Sequence, residues 1–93
     1  LEEAYSQART CALNAIAAVD ALVGIDAITG VVKVVGFVAS ARGFNDQPKV
    51  VNGASELLGE LFGDAGLHAR SAVGVAELPL NVPVEVELIV EVA

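Results

Sequence analysis

The sequence has 93 residues, of which 55% are hydrophobic, and twelve acidic against five basic side chains give a net charge of −7. That length allows one domain with one small core, and a monomer of this size cannot hide so much Val, Leu, Ile and Ala. Large exposed apolar patches mark interfaces, so an oligomer with closed symmetry is expected from composition alone.

The same counts narrow the partners. Nucleic-acid binders cluster Lys and Arg to neutralise phosphates, and here the basic residues are scattered, which disfavours direct nucleic-acid binding. Lys33, Arg42, Asp46 and the later glutamates interrupt every apolar run well short of the ~20 residues of a membrane helix. No secretory signal is visible, and a lone cysteine, Cys11, fits a reducing compartment, so the chain reads as cytoplasmic.

Ala4, Ala8, Cys11, Ala12, Ala15, Val19 and Leu22 recur at helical spacing between Leu1 and about Val23, which predicts an alanine-rich helix stopped at Gly24. Val31 to Ala39 is β-branched and nearly all apolar, the pattern of a strand covered on both faces. Asn45-Asp46-Gln47-Pro48 has the residues of a helix start, and Val50, Val51, Ala54, Leu57, Leu58, Leu61 and Phe62 follow on one face. Gly63 to Gly66 ends that helix.

Two further strands are predicted, Arg70 to Leu78 and Val84 to Val92, joined by a turn over Pro79 to Pro83. In the last strand Val84, Val86, Leu88 and Val90 alternate with Glu85, Glu87, Ile89 and Glu91, so one face is dry. The order is α-β-α-β-β, a single domain over residues 1–93 without repeats or linkers. The chain opens directly with a helix and without an initiator methionine, and an N-terminal portion of the natural polypeptide is expected to precede it.

Arg70 is the residue on which chemistry can be built. Strand alternation puts it on one face with His68, Ala72, Gly74 and Ala76, and sends Val73 and Val75 toward the core. Small neighbours leave open volume beside the guanidinium, whose planar donors suit bidentate capture of a carboxylate. If the last two strands pair, Glu85 and Glu87 lie beside this face. Arg70 then either binds a ligand or forms an ordinary cross-strand ion pair with one of them. No metal-ligand cluster, phosphate loop or nucleophilic triad is present in the sequence. Cys11 falls on the buried stripe of the first helix and reads as a small core residue.

Ala69-Arg70-Ser71-Ala72-Val73, continuing through Val75-Ala76-Glu77-Leu78-Pro79 to Val84-Glu85-Val86-Glu87, resembles the C-terminal signature of the RidA (YjgF, L-PSP endoribonuclease-like) family. Val31 to Val38 is similar to a strand of that family, and Phe44 to Phe62 to its second helix; the family's N-terminal β-hairpin region is not represented. The resemblance implies an α+β, chorismate-mutase-like fold, with a mixed sheet packed against two helices, assembled as a homotrimer with clefts between subunits. It implies that Arg70 holds a substrate carboxylate, that Glu85 assists a water, and that Asn52 lines the cleft; Ala72 and His68, on the Arg70 strand face, are further candidate substrate-binding residues. The implied reaction is hydrolysis of reactive enamines or imines to a keto acid and ammonia, without metal or organic cofactor. Capture of a small carboxylate without turnover is the alternative, and ribonuclease action, the name many members carry, is disfavoured by the charge.

Three positions depart from the family pattern. Ala72 stands where active members often have cysteine, Gly74 where they have glutamate, and His68 where they have proline. The first two substitutions remove functional groups and are expected to enlarge the pocket. His68 reads either as a solvated or capping residue or as a local acid or base, since imidazole is the side chain suited to proton exchange near neutral pH. Asn52, apart from the resemblance, is an ordinary helix residue, and Glu91 is expected in solvent or at a trimer rim. Tyr5, on the first helix, does not replace the tyrosine of the family's N-terminal region.

Overall fold

An alanine-rich segment pays little entropy to become helical, and in a computed structural model describing residues 1–93 it forms α1 (Glu2–Val23). The remaining elements are β1 (Ile28–Ala39), α2 (Gln47–Phe62), β2 (Ala69–Val75) and β3 (Val84–Val92), with single 3-10 turns at 25–27, 63–66 and 79–81. Two helices lie on one face of a three-stranded mixed sheet, the predicted α+β arrangement.

The strand order is β2-β1-β3, with β1 parallel to β2 and antiparallel to β3. The last two strands therefore do not pair. The eight-residue link between them crosses the end of β1, where the Ala39 and Ser40 amides donate to the Pro83 and Val75 carbonyls. Leu80 and Asn81 both take positive φ in that link. A strand as apolar as β1 takes the central position, with a hydrogen-bonded neighbour on each side.

Strand limits differ from expectation at two places. β1 begins at Ile28, because Ile28 is buried and opposite Val92. β2 stops at Val75, where its pairing with β1 runs out. At the start of α2, Asp46 occupies the capping position, but its side chain makes no cap; its backbone carbonyl accepts from Lys49 and Val50 instead.

Val34 and Val38 of β1, Val50, Val51 and Leu58 of α2, and Ala8 and Ile16 of α1 form the main core. Ile16 belongs to it although the sequence stripe passed over it. Leu22, on the predicted stripe, is exposed. At about 1.5 Å per residue the 22-residue α1 is ~9 Å longer than the 16-residue α2 it packs on, so its last turn lies beyond the layer. The two helices approach closely at Gly53, where any Cβ would overlap the Tyr5 carbonyl oxygen. On the outer surface Tyr5 donates to Glu56, and one turn on Arg9 Nη1 meets Glu60 Oε2 at 2.6 Å.

Only 16 of the 93 residues are buried, and none of them is polar or charged. For a chain more than half hydrophobic this is a small core. Val32, Val73 and Ile89 remain exposed, and Val35 and Phe37 only half covered, on the sheet face away from the helices. The predicted second covering of β1 is thus not supplied by the chain itself.

Candidate functional site

The parallel register sets Arg70 opposite Val34, Ala72 opposite Gly36 and Gly74 opposite Val38. Neighbours in register point to the same face, and Val34 and Val38 lie fully beneath the helices. Arg70, Ala72 and Gly74 therefore face the helix layer, and Val73 faces the bare side, 42% exposed. The expected grouping of Arg70 with Ala72 and Gly74 is as observed, but the expected core side of Val73 and Val75 is inverted. Alternation fixes which residues share a face, and only the pairing with β1 fixes which face is covered.

The guanidinium of Arg70 reaches α2. Its Nη1 donates to Asn52 Oδ1 at 2.8 Å and to Ser55 Oγ at 3.2 Å. Those two bonds use both Nη1 protons. Nε and Nη2 have no protein acceptor, and Arg70 is in no ion pair. Nε–H and one Nη2–H, side by side on one edge of an exposed guanidinium, are left with the second Nη2–H for a ligand or water.

His68, half-buried at the foot of β2, joins the same cluster. Its Nδ1 lies 2.6 Å from the Gly66 carbonyl oxygen and its Nε2 2.9 Å from Ser55 Oγ. A carbonyl can only accept, so the network assigns the proton to Nδ1. In the neutral ring Nε2 is then the acceptor, and the Ser55 hydroxyl donates to it while accepting from Arg70. Asn52, Ser55, His68 and Arg70 thus form one connected group. Ser55 was not singled out in the sequence; its place two turns after Pro48, on the helix face that meets β2, was the signal available.

Gly74 does not open the pocket as expected. A Cβ there would stand 2.6 Å from Gln47 Nε2 and 3.1 Å from Ser40 Oγ. The space is filled by the Gln47 carboxamide, which donates to Ser40 Oγ at 3.2 Å and to the Phe44 carbonyl at 2.8 Å. Ala72, between Arg70 and Gly74, packs against the rim of the core.

Glu85 is not in this cluster. It pairs in register with Phe37, and Glu87 with Val35, on the uncovered face of the opposite edge strand. Two inter-strand spacings of about 4.8 Å and the thickness of the sheet separate it from Arg70 within one chain. The alternative in which Arg70 pairs with Glu85 or Glu87 across a hairpin is excluded by the same topology. Glu91, exposed on β3, accepts from Thr29 Oγ1 at 2.9 Å.

Cys11 is half-buried beside β3, its Sγ 3.8 Å from the Val84 carbonyl oxygen. Burial first, and the negative charge of Glu85 second, push its thiol pKa up, which keeps the sulfur protonated and unreactive. Tyr5, through its bond to Glu56, also has a raised pKa. It lies on the outer helix surface, away from Arg70.

Two concavities, of ≈ 220 and ≈ 440 Å³, flank the start of α1 near Pro83. Neither is lined by Arg70, whose surroundings in the single chain are an open shelf at the β2 edge. No group of three or more His, Cys, Asp or Glu side chains is placed to hold a metal ion, and no helix is long and apolar enough to cross a membrane.

Fold and sequence agree on the family. Residues 1–92 match the family described as Endoribonuclease L-PSP, and the chain belongs to it, that is, to the RidA (YjgF) group. Protein TCP17 of Trypanosoma cruzi is 45% identical over 91 residues, covering 96% of this chain and 57% of that protein. The crystal structure of Atu1372 from Agrobacterium tumefaciens, a protein of unknown function, superposes with a TM-score of 0.96 at 44% identity, over 99% of this chain and 60% of that one. A Shewanella oneidensis MR-1 protein described as a "putative endoribonuclease" gives 0.93 at 34% identity, over 98% and 61%. The chain spans about three-fifths of the length of these relatives.

Proposed function

We propose that the protein hydrolyses small 2-imino or 2-enamino acids to keto acids and ammonia, with the carboxylate of the substrate held on Arg70. The observation that carries this reading is the free Nε–Nη2 edge of a guanidinium whose other nitrogen is tied to Asn52 and Ser55. An arginine fixed on one side and unpaired on the other is prepared for a planar, bidentate anion. An exposed ion pair with a protein carboxylate would have consumed that edge.

The chemistry asks little beyond orientation. Water adds to the electrophilic C=N carbon, a proton reaches nitrogen, and the carbinolamine so formed expels ammonia to leave the C=O of a keto acid. Anchoring the carboxylate removes the orientational entropy of the encounter. A group that takes a proton from the water and returns one to nitrogen supplies general acid–base catalysis.

Glu85 fits that role only if it comes from another copy of the chain, because its own Arg70 is across the sheet. The bare face, with Val35, Phe37, Val73 and Ile89 uncovered, is the surface on which copies would meet. A homotrimer with the site at each subunit boundary would bring Arg70 of one protomer toward Glu85 of its neighbour. The cytoplasm is the proposed location, in keeping with the single reduced cysteine.

A second reading, capture of a small carboxylate without turnover, is favoured by the absence of any carboxylate bonded within the Arg70 cluster. RNA cleavage, the activity in the family's description, sits poorly with a net charge of −7 and no basic groove.

The test uses the full-length protein and its Arg70→Ala variant. An amino-acid oxidase generates imino acids in situ, and keto-acid release is followed with and without each protein. Acceleration by the parent and not by Arg70→Ala supports the deaminase. No acceleration across a panel of imino acids, with binding of the corresponding keto acids retained, leaves the capture reading in its place.

A further inference from the structure

We propose that Ser55 and His68 are positioning residues of the Arg70 site, the imidazole acting through the Ser55 hydroxyl to fix the direction in which the guanidinium presents its free edge. The inference rests on the carboxylate reading above and adds the device that orients the arginine.

A single acceptor, Asn52, would hold one Nη1 proton and leave the exposed guanidinium free to swing about that contact. The second acceptor, Ser55 Oγ at 3.2 Å, fixes the plane. A serine inside a helix can turn its hydroxyl out to solvent or back to the carbonyl four residues earlier. Ser55 instead bonds to His68 Nε2 at 2.9 Å, which leaves an oxygen lone pair directed at Arg70.

The ring of His68 is itself held, at Nδ1, by the Gly66 carbonyl at 2.6 Å. Gly66 is anchored in turn, since it is buried and a Cβ there would run into the Leu58 carbonyl at the end of α2. Rigid backbone, ring, hydroxyl and guanidinium thus follow one another in a single chain of bonds whose donors and acceptors all match. Networks of this kind fix geometry when every member is satisfied.

Ser55 is not placed as a nucleophile, although a serine bonded to a histidine invites that idea. An arginine N–H on Oγ withdraws the electron density that an attacking oxygen needs. The hydroxyl serves as a connector between two fixed groups.

The experiment measures the dissociation constant of pyruvate, a plain 2-keto acid, for the full-length protein and a set of variants. Ser55→Ala and His68→Phe are each expected to weaken binding about fivefold, the loss of one modest hydrogen bond. The double variant is expected to be no weaker than either single one, because both break the same chain. Ser55→Thr, which keeps the hydroxyl, is expected to stay within about twofold of the parent.

Loss of binding in Arg70→Ala with parental binding in Ser55→Ala and His68→Phe overturns this inference and leaves the carboxylate reading standing. Parental binding in Arg70→Ala overturns both. Additive losses in the double variant show two independent contacts and also overturn the positioning chain. Nitrogen NMR of the unsubstituted protein provides a readout free of folding effects. Separate, slowly exchanging Nη1 and Nη2 signals for Arg70 are expected, and one averaged signal contradicts the proposal.

Discussion

The two faces of the sheet differ in what holds their residues in place. On the helix-covered face, valines of β1 interlock with α2, and the polar cluster of Arg70, Asn52, Ser55 and His68 is joined by hydrogen bonds that leave only the Nε–Nη2 side of the guanidinium unpaired. On the bare face, Phe37, Val35 and Ile89 stand beside Glu85, Glu87 and Glu91 with nothing above them. The covered face is complete within one chain; the bare face is a half-made surface of alternating apolar and acidic groups. The comparison teaches that the free edge of Arg70, the proposed carboxylate anchor, is prepared by the chain itself, whereas Glu85 and Glu87 are not brought to it.

The sharpest way to break this contrast is to remove matched apolar side chains from the two faces. Leu58→Ala, in the covered core, is expected to destabilise the protein by about 2–5 kcal/mol in urea unfolding. Ile89→Ala, half exposed, is expected to change the stability of the dissociated chain by less than about 0.5 kcal/mol. If copies meet on the bare face, Phe37→Asp will instead shift the sedimentation of the full-length protein toward the monomer. Equal unfolding losses from Leu58→Ala and Ile89→Ala in the dissociated chain would show that the faces do not differ in this way.

A smaller effect is expected where the two helices touch. Gly53→Ala forces a methyl group against the Tyr5 carbonyl and is expected to lower stability by about 1–3 kcal/mol, measured by the same unfolding. Substituting Gly74 tests the filled pocket more gently. Gly74→Ala is expected to displace the Gln47 carboxamide from Ser40, a loss of about 1 kcal/mol at most, because Gln47 is the flexible partner.

The smallest effect concerns Cys11, which reports on Glu85 from the edge of the sheet. Its thiol pKa is raised by burial and then by the Glu85 charge. The native state thus favours the protonated thiol. That contribution to stability is intact below the ordinary thiol value of about 8.5 and drains away as pH climbs through the native value. Glu85→Gln removes only the secondary cause, so iodoacetamide labelling of Cys11 should shift to slightly lower pH. Labelling of the parent at the rate of an unfolded thiol across the range would contradict the burial.

Much of this was legible in the sequence, for identifiable reasons. Helical spacing from Val50 to Phe62 and strict alternation from Val84 to Val92 are local patterns, and both elements appear where expected. The grouping of Arg70 with Ala72 and Gly74 is also local. The neighbour of β2 was not legible, because pairing depends on how an eight-residue link crosses the end of β1. That one long-range fact inverted the core side of Val73 and separated Glu85 from Arg70. Ser55 escaped notice because a serine within a helix carries no signal until its partner on another element is known.

The most direct test of the central claim is a crystal structure of the full-length protein with pyruvate bound. The carboxylate is expected on the Nε–Nη2 edge of Arg70, with Nη1 still bonded to Asn52 and Ser55. Pyruvate bound elsewhere, or an Arg70 whose free edge is taken by a protein carboxylate, would contradict the account.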